Sequence, residues 1–249
     1  MKKLIKFIVA SLFFILLGSC SSSDENNVNN DEKKVISKIT TRFLDYGDGK
    51  EFINTEVNNF IYSNGEVIKI EVSEDFCGTF SYVDSKIVSS SNCKNEADET
   101  IFSYNRDLLI KTSSDEVINE LFYDSDKLKE IKTSYVTDNF TRKYSSKYYY
   151  TGNNVTTTNE EVFWKPQSSV TEYKYDKKNN PFKNHNLYIK LIWGAEFLGD
   201  NNIIEETLED RVIKYTIIYD SENYPIKSTG IDQETGKLRT EFTYEYTKI

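Results

Sequence analysis

Leu121-Phe122-Tyr123-Asp124-Ser125-Asp126-Lys127-Leu128 is the stretch on which the fold turns. It reads as an aromatic strand end, a polar turn and an apolar residue that opens the next strand. The same order recurs at Phe60-Ile61-Tyr62-Ser63-Asn64-Gly65-Glu66-Val67, and again at residues 102–109, 148–155, 173–181 and 217–225. Strand residues i and i+2 share a face, so Phe60 with Tyr62, Phe102 with Tyr104, and Tyr173 with Tyr175 form same-side aromatic pairs. Ser, Asn, Asp or Thr follows each of Tyr62, Tyr104, Tyr123, Tyr150, Tyr175 and Tyr219. These short side-chain oxygens hydrogen-bond backbone two residues on and stabilise a turn. Val67, Leu109, Leu128, Val155 and Tyr224 then begin the return strand. The fifth unit departs, with Asn180 at that place and Phe182 two residues further on.

A two-stranded hairpin is marginal alone in water, so the units must lie side by side. The expected fold is all-β: an antiparallel meander of repeated β-hairpins forming an extended, curved sheet. No Pro/Gly/Ser-rich linker interrupts residues 35–249, which therefore read as a single β-repeat domain. Val67–Val72 and Phe242–Tyr246 alternate with the period of two that strands require.

Two intervals between key tyrosines are long enough for an extra hairpin or an insertion. The first, Tyr62 to Tyr104, holds Cys77 and Cys93. In an exported protein these two pair, closing a hairpin around Thr79–Val88 and stabilising by roughly 3 kcal/mol. The second, Tyr175 to Tyr219, holds Leu187, Leu191, Ala195 and Leu198 at helical spacing behind a possible Asn186 cap. One short helical insertion is expected near 186–198, although Gly194 argues against it. Anchored by Trp193 and Phe197, it would cover one face of the sheet; the alternative is that it lines a ligand groove. The final strand, Leu238–Thr247, carries Arg239, Glu241 and Glu245, a charge pattern that protects an edge.

The N-terminus is a processing signal. Lys2, Lys3 and Lys6 precede an apolar run from Ile8 to Leu17 that is too short for a permanent span. Leu16-Leu17-Gly18-Ser19-Cys20 resembles the lipobox of bacterial lipoproteins. The resemblance implies a signal peptide over 1–19, and a Cys20 that becomes the mature N-terminus and carries acyl chains such as palmitate. A plain secretory peptide with an incidental cysteine is the alternative. Residues 20–34 are polar and read as a flexible tether. Ser23-Asp24-Glu25 resembles the export signal of surface-exposed lipoproteins in Bacteroidota-type bacteria, which favours the cell surface over the periplasmic face of the outer membrane.

The chain has 40 acidic and 31 basic residues, a net charge of −9, and loses three lysines with the signal. Such a surface repels nucleic acid and anionic headgroups, so the membrane partner is reached through the N-terminal lipid. His185 is the single histidine. There is no G-x-S-x-G elbow, H-E-x-x-H pair, phosphate-cradling glycine loop or zinc pattern, so no cofactor or metal is expected. Glu160-Glu161, Glu205-Glu206 and Glu209-Asp210 are adjacent acids of the kind a chain with 40 acids acquires without catalysis. A carboxylate pair brought together from distant strands stays open.

The aromatic–Tyr–turn–apolar units behind a lipobox and tether resemble the YD-repeat-like lipoproteins of Bacteroidota-type bacteria. Tyr-Asp itself stands at Tyr123-Asp124, Tyr175-Asp176 and Tyr219-Asp220. The resemblance implies a broad meander and neither an enzyme activity nor functional residues. The function expected is a lipid-anchored, non-enzymatic envelope scaffold that binds a glycan, peptide or protein. Tyrosine faces suit such ligands, or simply pack. The alternatives are a surface polysaccharide hydrolase with carboxylates from separate strands, and a structural or assembly component of the envelope.

Overall fold

A computed structural model describes residues 32–47, 50–72, 76–137, 140–163 and 167–249. The expected signal peptide, Cys20 and nearly all of the expected tether lie outside these residues. The body is sixteen antiparallel strands in chain order. They are β1 (Lys34–Gly47), β2 (Lys50–Ser63), β3 (Glu66–Val72), β4 (Phe76–Val83), β5 (Lys86–Asn92), β6 (Asn95–Asn105), β7 (Leu108–Ser113) and β8 (Val117–Asp124). The second half is β9 (Lys127–Thr137), β10 (Phe140–Thr151), β11 (Asn154–Val162), β12 (Gln167–Tyr175), β13 (Ile203–Leu208), β14 (Arg211–Tyr219), β15 (Pro225–Asp232) and β16 (Leu238–Lys248). Between β12 and β13 lie a helix, α1 (Leu187–Trp193), and one 3-10 turn at Ala195–Phe197.

The meander closes, and the expected extended sheet is thereby corrected. β1 pairs antiparallel with both β2 and β16, so the sheet is a closed barrel with no edge. The charges of the last strand do not guard an edge. Lys38 meets Glu245 at 2.9 Å and Arg42 meets Glu241 at 2.9 Å across the β1–β16 seam. A pattern that repels a foreign strand also matches a complementary one, and β1 supplies the complement.

Three of the six key tyrosines share one structural job. Tyr62, Tyr123 and Tyr175 lie near one rim, and each donates its hydroxyl to a carbonyl near the start of the preceding strand. Tyr62 reaches Ile36 at 2.5 Å, Tyr123 reaches Leu109 at 2.6 Å and Tyr175 reaches Val155 at 2.6 Å. Two tyrosines outside the original six do the same: Tyr82 to Val67 at 2.8 Å, and Tyr246 to Pro225 at 2.7 Å. Tyr82 marks the extra hairpin of the first long interval, with Asp84 and Ser85 both at positive φ in its turn. Asn64-Gly65 makes the equivalent turn, also with both φ positive, the geometry that suits the twist of a tight hairpin.

Register shifts accompany these tyrosines. Ile61 faces Lys69 while Tyr62 faces Val67, which leaves Ile68 as an extra residue. Ile110 and Ile226 are extra in the same way opposite Tyr104 and Tyr219. Such bulges increase local twist and bend the strand, which helps a sheet to close.

The second long interval holds a plug. Tyr175 pairs with Ile203, as Tyr62 pairs with Val67, so residues 176–202 are an insertion within one hairpin. Asn186 caps α1 by accepting from the Ile189 amide at 3.0 Å, and Gly194 at φ +117° ends it. The helix does not cover a sheet face from outside; it fills the lumen. Phe182 and Ile189 are fully buried, and Phe182, Phe197 and Trp193 pack against Phe60 and Phe242 of the wall. On the other side Tyr188 meets the Phe102 ring edge-on at 4.4 Å.

The outer wall is charged. Besides the seam pairs, Lys147–Glu161 at 2.9 Å, Lys174–Glu205 at 2.6 Å and Lys227–Glu241 at 2.8 Å link neighbouring strands on its outside. The exposed apolar residues Ile61, Ile68, Ile110, Phe122, Ile218 and Ile226 lie beside the bulges near the tyrosine rim, and Phe52, Ile53, Val136, Phe140 and Phe163 are exposed near the opposite rim.

Candidate functional site

The plug is fastened where it enters the barrel. Asn154 of β11 accepts from the amides of Asp200 and Asn201 at 3.0 and 3.1 Å. Asn180 donates to the Asn201 carbonyl at 3.2 Å and accepts from the Phe182 amide at 2.8 Å. Asn184 reaches back to the Lys34 carbonyl at 2.8 Å. Asparagine suits this work because one amide both donates and accepts. With both ends stitched to the rim, the insertion is a fixed part of the barrel.

Plug and wall leave chambers between them. One, of about 600 Å³, lies between the plug and β10–β13, with Tyr148, Thr158, Glu160 and Tyr173 on its wall. A neighbouring one, of about 250 Å³, is bounded by Glu206, Tyr215, Phe242 and Tyr244. Glu196, Leu208 and Arg211 line both. A third, of about 540 Å³, lies on the other side of the plug beside Phe80, Tyr188 and Trp193. The first chamber reaches the surface at the exposed Glu209-Asp210 turn, on the rim opposite the tyrosines.

Glu196 is the central group. It follows Gly194, where a Cβ would run into the Glu196 carboxylate, so only glycine lets this side chain fold back there. Burial pushes its carboxyl up to about 7, with the nearby Glu206 charge adding and a hydrogen bond from its own backbone N–H pulling down. Some accessible surface remains on Glu196 because it faces the chamber; the protein around it is nevertheless dense enough to deprive it of bulk water. Glu206 accepts from the Tyr215 hydroxyl at 2.9 Å. Gly230 makes room for that ring, since a Cβ there would come within 2.7 Å of Tyr215. Burial, with the carboxylate charges second, holds Tyr215 far above the ordinary phenol value.

The residues singled out in the sequence fall elsewhere. Tyr62, Tyr123 and Tyr175 are committed to rim carbonyls, and Tyr219 donates to Asp176 at the plug entrance. Burial raises Tyr104, with a hydrogen bond from the Ile87 backbone partly offsetting it, and Tyr150 is pushed up to about 12 by burial. The chamber is lined instead by Tyr148 and Tyr173, the aromatic residues two before Tyr150 and Tyr175, and by Tyr215 and Tyr244. The i, i+2 pairing was the signal that could have found the first two. Cys77 and Cys93 are bonded at an S–S distance of 2.02 Å, outside the chambers. His185 lies against Tyr62 and Phe182 in the plug. Among the described residues no group of three or more His, Cys, Asp or Glu comes together to hold a metal ion.

No family model and no curated protein matches this chain. Solved structures do. A porin-like protein from Bacteroides uniformis ATCC 8492 aligns over 86% of this chain and 98% of its own, at 13% identity and a TM-score of 0.59. A porin-like protein from Bacteroides vulgatus ATCC 8482 aligns over 86% and 99%, at 13% identity and a TM-score of 0.45. At that identity the first likeness speaks for the barrel fold. Among the described residues no helix is long and apolar enough to cross a membrane, a criterion that does not apply to strands.

Proposed function

We propose that this chain is a lipid-tethered binding protein of the bacterial outer membrane, whose plugged barrel stands in water and holds a small ligand in its lumen. One observation carries the reading: the wall is charged outside and aromatic inside. A bilayer-spanning barrel needs an outward apolar band about 25 Å tall, and a lysine or arginine at the midplane costs about 2–4 kcal/mol. Here Lys147, Lys174 and Lys227 sit outward with their carboxylate partners, between exposed apolar residues near the tyrosine rim and others, such as Phe52, Phe140 and Phe163, near the opposite rim. The plug closes the path that a pore would need, yet leaves chambers of the size small-molecule sites use. Acyl chains on Cys20 would supply the membrane attachment that the wall does not.

β1 begins at the tyrosine rim, so the tether joins there and the chamber opens at the other end. The test is a thermal-shift screen of the full-length protein against small sugars, amines and carboxylic acids, repeated on Ser169→Trp, which fills the larger chamber. A compound that raises the melting temperature of the natural protein and not of the variant supports the reading. An empty screen, or shifts indifferent to the variant, counts against it.

A hydrolase is the second reading. Its basis is that Glu196, with a proton to give near neutral pH, shares a chamber with Glu206. Cleavage of a nitrophenyl glycoside that is lost in Glu206→Gln would favour it.

A further inference from the structure

On the premise that the lumen chamber binds a ligand, we propose that the ligand is a small organic cation, an amine or alkylammonium on an apolar body, held by Glu196 within a cage of tyrosine rings. Among the described residues Glu196 forms no ion pair, and no lysine or histidine lines either of its two chambers. The wall facing it is acidic on several strands. Glu160 comes from β11, Glu206 from β13, and Glu209 and Asp210 from the turn at the mouth.

Two arginines border the chambers. Arg211 on β14 has its guanidinium Nε 3.6 Å from Asp232, on a half-exposed side chain. Arg239 on β16 lines only the smaller chamber. The Glu206 charge is near enough to Glu196 to raise its carboxyl further. Within the plug Lys190 turns toward His185 and Asp200, and it lines neither chamber.

The remaining surface is aromatic. Tyr148, Tyr173, Tyr215 and Tyr244 all lie close enough to Glu196 for its charge to oppose ionisation of their hydroxyls. Ring faces carry negative quadrupole density, which attracts a cation and adds to the carboxylate's pull once water is excluded. An anion would meet Glu196 and Glu206 together. A neutral ligand would leave the enclosed carboxylate uncompensated when it displaced water. A cation answers both difficulties.

Proton linkage follows. A cation selects the ionised carboxylate, while burial keeps Glu196 partly protonated near neutrality. Binding therefore strengthens as pH rises through 7, by about tenfold between pH 6 and pH 8.

The experiment is isothermal titration of the full-length protein with benzylamine, which stays protonated in this range, and with benzyl alcohol as its neutral counterpart. Benzylamine should bind at least about tenfold more tightly than the alcohol at pH 8, and about tenfold more tightly at pH 8 than at pH 6. Glu196→Gln should erase the preference, and Glu196→Asp, which keeps the charge, should retain it. Circular dichroism verifies that both variants keep the barrel. Equal binding of the two compounds, or a preference that survives Glu196→Gln, overturns the cation assignment and leaves the chamber reading standing. Binding of neither compound, when the screen has returned another ligand that Ser169→Trp blocks, likewise overturns the cation alone. Binding of neither with an empty screen overturns both.

Discussion

The Tyr62 hydroxyl lies 2.8 Å from Nε2 of His185, so one phenol joins the barrel wall to its plug. Its own proton goes to the Ile36 carbonyl, at 2.5 Å. Nε2 of His185 must then be the donor in that contact, and among the described residues buried Nδ1 makes no hydrogen bond of ordinary geometry, the Phe182 backbone being its polar neighbour. Burial lowers the His185 pKa to about 4, Lys190 adds to the fall, and the Phe182 backbone partly offsets it. The histidine must lose stability as it gains a proton.

The sign of the pH dependence is fixed by that shift. Above the ordinary histidine value near 6.5 both folded and unfolded states hold a neutral ring, and the stabilisation is complete. As pH falls from 6.5 toward 4 the unfolded chain takes the proton first, and up to about 3 kcal/mol is lost. Urea denaturation across this range should show the loss, and His185→Gln should flatten the part that depends on this ring. An unchanged slope in the variant would mean that the plug does not enclose it.

The rim tyrosines should be worth their hydroxyls. Tyr123→Phe strands the Leu109 carbonyl and should cost about 1–2 kcal/mol in urea denaturation. Tyr149→Phe, on an exposed neighbour, should stay within about 0.5 kcal/mol. Equal effects would argue against the rim bonds as a repeated device.

The Cys77–Cys93 bond closes a sequence separation of 16 residues. Replacing both with serine should lower stability by about 3 kcal/mol, chiefly by freeing the unfolded chain. Far-UV circular dichroism should stay strand-dominated, since β4 and β5 remain paired by backbone hydrogen bonds. Loss of the barrel spectrum would give the bond a larger part than this.

Glu241 sits at the seam between Arg42 and Lys227. Glu241→Lys should cost about 1 kcal/mol at low salt and less at about 1 M, because exposed ion pairs are weak and screened. A penalty of the same size at both salt concentrations would point to packing rather than charge.

Much of the wall was legible because strand chemistry is local. The turn residues after Tyr62 and Tyr123 and the apolar residues that follow describe hairpins without reference to the rest of the chain. Closure was not legible in that way. It depends on Lys38 and Arg42 meeting Glu245 and Glu241 from the far end of the sequence, and a charged last strand looks the same whether it guards an edge or completes a ring. Tyr82 escaped notice because Val83 stands where the other units have a polar residue. The plug's helix was marked by Asn186 and the leucine spacing, but nothing local says whether a helix covers a sheet or fills a barrel. Gly194 weighed against the helix, when its work is to end it and to give Glu196 space. The chamber itself draws on β10 to β16, and no short motif records such convergence.

The most direct measurement separates a barrel that stands in water from one that sits in the bilayer. The full-length protein is recovered in membranes with a specific protease site placed between Ser23 and Asn30, and the tether is then cut. A charged wall around a plugged lumen predicts that the barrel leaves with the aqueous supernatant, folded and without detergent. A barrel that stays in the membrane fraction after complete cleavage, and needs detergent to come out, would contradict the account.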